Sequence, residues 1–166
     1  MQEKQFNEIL RLSRLYRREA VRCREAAAFV AGCVMLGAAL ESMLVATASI
    51  YWREAKRALA APKQKGRVRP LAEWDLGSLL AVARELNWLP AGLERGEGWS
   101  RRKAKIGDYA EALHQVRNLV HAGYYLRKHS PARVTKRYFE GYFEILDVAV
   151  SWLNNKVVED LRKKIK

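Results

Sequence analysis

At 166 residues, 49% of them hydrophobic and including five Trp and seven Tyr, the chain is long enough for one domain with a real core, short for two, and too apolar to stay disordered. Thirty-one Lys and Arg against 18 Asp and Glu leave a formal charge of +13, which makes polyanions, nucleic acid foremost, the favoured partners, with a generally basic host proteome or an acidic protein partner as the alternative. Cys23 and Cys33 fall in one predicted helical region, about 15 Å apart along a straight helix, which excludes a disulfide between them. With no CxxC pair and only three histidines, no zinc-ligand spacing exists. No metal and no other cofactor is expected.

The N-terminal segment is charged and amphipathic without an apolar signal core, so a cytoplasmic location is expected. Between residue 2 and about residue 61 there is no proline, and glycine occurs only at Gly32 and Gly37; two long helices are predicted. On the first, Ile9, Leu12, Leu15, Tyr16 and Ala20 oppose Arg11, Arg14, Arg17 and Arg18 at helical spacing. The second is predicted from about residue 25 to about residue 59. Its middle is small and apolar on nearly every side, as the central helix of a bundle must be. Residues 26–50 reach the length of a membrane span, but the run is rich in Ala and Gly and interrupted by Glu41, and a core helix accounts for it more simply. No membrane contact is expected. A carboxylate on such a helix needs a partner, and Arg117 is the first candidate.

Residues 61–70 carry two prolines, a glycine and several cations and are predicted as a solvated loop. Asp75 is a candidate N-cap for a short third helix over about 76–86, ending before Pro90. A second loop, with Gly92, Gly96, Gly98 and the run Arg101-Arg102-Lys103, extends to about residue 105. Asp108 is placed to cap a fourth helix with Tyr109, Ala112, Leu113, Val116 and Val120 on its apolar face, and His114, Arg117, Asn118 and His121 on another. A fifth helix is predicted from about residue 133 to near the end, packing through Tyr138, Tyr142, Ile145, Ala149, Trp152 and Leu153. No alternating strand pattern competes. The expected architecture is an all-α bundle of about five helices in a single domain spanning the chain.

Three segments in this order, Leu36-Gly-Ala-Ala-Leu-Glu-Ser-Met-Leu44, Glu73-Trp-Asp-Leu-Gly-Ser-Leu-Leu80 and Val116-Arg-Asn-Leu-Val-His-Ala-Gly-Tyr-Tyr-Leu126, resemble the HEPN superfamily of small α-helical bundles over about residues 25–152. Many of its members are metal-independent ribonucleases, often toxins of toxin–antitoxin or defence systems. The resemblance implies that Arg117 is the motif arginine, Asn118 the polar residue after it and His121 the motif histidine. The residue types suit that chemistry: an imidazole titrates in the range needed to take a proton from a ribose 2′-hydroxyl, and a guanidinium can stabilise the charge gathering on the phosphate. One such histidine per chain supplies one proton-transfer group, so a homodimer is expected to bring two together. Lys63, Lys65, Arg67, Arg101, Arg102, Lys103, Arg127 and Lys128 are placed to track an RNA backbone, with Tyr124 and Tyr125 available to stack on bases. Other members of the superfamily bind without cutting. The alternative is therefore a noncatalytic binding or scaffold protein whose partner is an antitoxin, a nucleotidyltransferase or another defence component.

Overall fold

The computed structural model describes residues 3–89 and 134–165. Helix α1 (Glu3–Glu25) turns back through three alanines into α2 (Phe29–Ile50). The turn is a Schellman closure: the Ala28 N–H donates to the Cys23 carbonyl (2.7 Å), the Ala27 N–H donates to the Arg24 carbonyl (3.1 Å), and Ala27 takes φ 54°. Helix α2 therefore starts later than the expected residue 25. It also stops earlier than residue 59, at Tyr51, whose ring packs 5.8 Å from Trp88 and whose hydroxyl donates to Asp160. A four-residue α3 (Trp52–Ala55) follows. Cys23 and Cys33 consequently lie on different helices rather than in one, and both are free thiols.

Helix α2 is the centre of the bundle, packed by α1, by α4 (Leu76–Glu85), by α5 (Lys136–Ile165) and by a 3-10 turn (Leu71–Glu73). Small residues make this possible. A Cβ placed on Gly32 would stand 2.6 Å from the Phe139 ring and 3.2 Å from Cys23 Cβ, so this position lets both α1 and α5 come close. The Ser13 hydroxyl, buried in the α1 interface, donates to the Ala39 carbonyl at 3.0 Å. By length and composition α2 could cross a membrane, yet half of its most apolar window is buried against these neighbours.

Helix α4 is capped as expected, the Asp75 carboxylate accepting the Ser78 N–H at 2.7 Å. It ends in a second Schellman closure with Asn87 at φ 52° and the Trp88 N–H donating to the Ala83 carbonyl. Helix α5 buries Phe139, Tyr142, Ile145, Leu146, Ala149 and Leu153. Trp152, expected in that stripe, is 42% exposed; winding at about 100° per residue puts it roughly 90° from the stripe's centre. Leu15, expected on the packed face of α1, is likewise exposed. Arg17, by contrast, leaves the solvated face of α1 to grip Asp147 of α5 through two hydrogen bonds of 2.9 and 3.0 Å, its guanidinium lying 4.8 Å from the Phe143 ring.

These elements form an all-α bundle, with five α-helices among the described residues and one small two-stranded sheet. The sheet corrects the expectation of a plain loop at 61–70. Strands β1 (Lys63–Gln64) and β2 (Arg67–Val68) pair antiparallel, Lys63 with Val68 and Gln64 with Arg67. Its two-residue connection puts Lys65 at φ 50° and Gly66 at φ 77°, the left-handed pair of a type I′ turn whose twist matches the strands it joins. Two-residue strands are too short to leave an alternating signature in sequence.

Candidate nucleic-acid interface

Between residues 53 and 67 the chain carries six cations, Arg53, Lys56, Arg57, Lys63, Lys65 and Arg67, against one acid, Glu54. All six cations are exposed. The expected contacts Lys63, Lys65 and Arg67 occupy the hairpin, and they are joined by Arg53, Lys56 and Arg57 from α3 and the turns after it. Sequence reasoning missed these three because they fell inside a helix predicted to run unbroken to residue 59. The available signal was the spacing of Ala55, Ala58 and Ala61, which face inward and leave the cations between them outside.

The patch is held in place from beneath. Glu85, near the end of α4, accepts the Leu59 N–H at 2.7 Å and the Ala60 N–H at 2.8 Å. These backbone bonds, the Ala60 one first, hold the Glu85 carboxyl below its usual range, with the Lys63 charge adding to the effect. The far side of the hairpin is anchored by Trp74, which is buried, donates its indole N–H to the Arg69 carbonyl at 2.9 Å and packs 5.7 Å from Trp52. Arg69, next to the patch, is occupied by Glu73 at 3.2 Å. The hairpin ladder is extended by the Arg69 N–H donating to the Pro62 carbonyl. A rigid base therefore presents solvated cations, the arrangement suited to a phosphate backbone, where point charges and guanidinium forks meet anionic oxygens without reading bases.

Glu41 is half-buried on α2 and lines a groove of about 570 Å³ between α1, α2 and the 71–74 turn, together with Tyr16, Ser42 and Trp74. Its expected partner Arg117 lies outside the described residues. So do Asn118, His121, Arg101, Arg102, Lys103, Tyr124, Arg127 and Lys128. Among the described residues no group of three His, Cys, Asp or Glu side chains is placed to hold a metal ion.

Compared with models of protein families, with curated proteins and with solved structures, the chain matches none.

Proposed function

We propose that this chain is an RNA-binding helical protein that grips the phosphate backbone through the hairpin and the turns after α3. The observation that carries this reading is the set of six exposed cations over residues 53–67, immobilised on Glu85 and Trp74 instead of being scattered over a flexible loop. Against a net charge of +13 such a surface concentrates a polyanion before any specific contact forms.

The sequence resemblance to the HEPN superfamily adds metal-independent cleavage by Arg117 and His121, with Asn118 as a positioning residue, in a homodimer of a toxin–antitoxin or defence system. It equally allows a noncatalytic binding role beside an antitoxin or nucleotidyltransferase, and the three residues between Arg117 and His121, fewer than the four to six usual in active members of that superfamily, favour that second reading. One experiment serves both. Labelled single-stranded RNA is titrated with protein in EDTA across a range of salt, using wild type, Lys63→Gln/Lys65→Gln/Arg67→Gln, and His121→Ala. The hairpin triple variant should flatten the slope of log affinity against log salt by about 2, at about 0.7 per cation removed. An unchanged slope would contradict the assigned interface. Cleavage in wild type that disappears in His121→Ala would establish the nuclease; binding without cleavage would leave the binding module.

A further inference from the structure

The solvated face of α1 carries a second concentration of charge among the described residues. On a helix of 100° per residue, Lys4, Arg11, Arg14, Arg18 and Arg22 fall within a sector about 80° wide and extend about 27 Å along the axis. All five are exposed. Arg11 meets Glu8 at 3.6 Å and Arg22 meets Glu19 at 2.7 Å, both acids lying at the flank of the sector. Arg14 and Arg18 have no acid partner among the described residues.

This pattern works against the helix's own stability. Arg11 and Arg14, Arg14 and Arg18, and Arg18 and Arg22 are like charges three or four positions apart, which destabilise a helix where alternating signs would support it. An external polyanion removes that repulsion. The opposite face of α1 is committed to the bundle through Ala20, Ser13 and the partly buried Leu10 and Tyr16, so α1 has no free apolar face to lay into a lipid surface. Charge is what it offers, in a line with about 6 Å of rise between arginines four residues apart.

We propose that the arginine stripe of α1 is a second track for the RNA backbone, distinct from the hairpin, so that one RNA strand engages two basic surfaces of the same molecule. This rests on the RNA-binding reading above and deepens it. Two basic surfaces on one chain raise affinity through effective concentration when the RNA is long enough to reach both.

The test compares Arg14→Gln/Arg18→Gln with Arg24→Gln/Arg137→Gln, which removes the same charge from two exposed arginines outside the stripe, and with the hairpin triple variant, on a long and a short single-stranded RNA. The stripe pair should flatten the salt slope by about 1.4 on the long RNA, melt no lower than wild type, and lose most of its effect on the short one; the control pair should change the slope by less than half as much. Equal slopes for the stripe and control pairs, with the hairpin variant still defective, would overturn the second track and spare the first. Wild-type protein that fails to bind RNA, or that binds phosphatidylserine vesicles in its place, would overturn both.

Discussion

Ala27 and Gly32 stand five positions apart and set opposite conformational demands. Ala27 closes α1 at φ 54°, a left-handed conformation that costs a residue with a Cβ about 1 kcal/mol relative to glycine. Ala27→Gly should therefore stabilise the protein by about 1 kcal/mol, read as an increase in urea midpoint at unchanged slope. Gly32 sits where an added methyl would collide with the Phe139 ring. Gly32→Ala should destabilise by about 1–3 kcal/mol in the same measurement, because the α5 side must shift to admit it. The pair also shows why the helical hairpin was hidden in the sequence: three alanines are good helix formers, and the turn they make carries none of the glycine or asparagine that marks such a closure at Asn87. The apolar centre of α2 was legible, since its small residues have no polar face to hide; its ends were not.

Among the elements, α4 could be read from its cap, Asp75 performing the role its position announces, and α5 from its spacing. The β-hairpin could not, because two-residue strands leave no period and its turn uses Lys65 where asparagine would be the recognisable signal. Once formed, its base depends on a charge. Glu85 has a folded pKa lowered by the Ala60 and Leu59 N–H bonds, so its contribution is fully present above the ordinary carboxylate pKa and is lost as pH falls through the depressed folded value. Amide exchange at Leu59 and Ala60, corrected for intrinsic rates, should accelerate over that acidic window in wild type. In Glu85→Gln protection should be weaker at neutral pH and flat with acid; an identical profile in both proteins would remove Glu85 from the support of the patch.

At the scale of the molecule, the cations of the described residues include two exposed clusters, a set of private ion pairs and single exposed arginines. Arg17 with Asp147, and Lys156 with Asp160, join side chains on or beside α5, and Arg69 with Glu73 locks the hairpin base. Exposed pairs of this kind contribute at most about 1 kcal/mol each, so their cations are better understood as spoken for than as stabilising. The six cations around the hairpin and the stripe on α1 face solvent, as do the single arginines Arg24 and Arg137. Composition pointed towards a polyanion partner, but only the folded chain separates occupied cations from available ones: Arg17 and Arg18 are neighbours in sequence and belong to different categories.

In the proposed complex the hairpin and the turns after α3 lie against RNA, and lysine acetylation with and without single-stranded RNA, resolved by peptide, reads that contact. Lys56, Lys63 and Lys65 should be protected severalfold when RNA is bound while Lys156, paired with Asp160, keeps its rate; equal labelling of Lys56, Lys63 and Lys65 in the presence of saturating RNA would contradict the account.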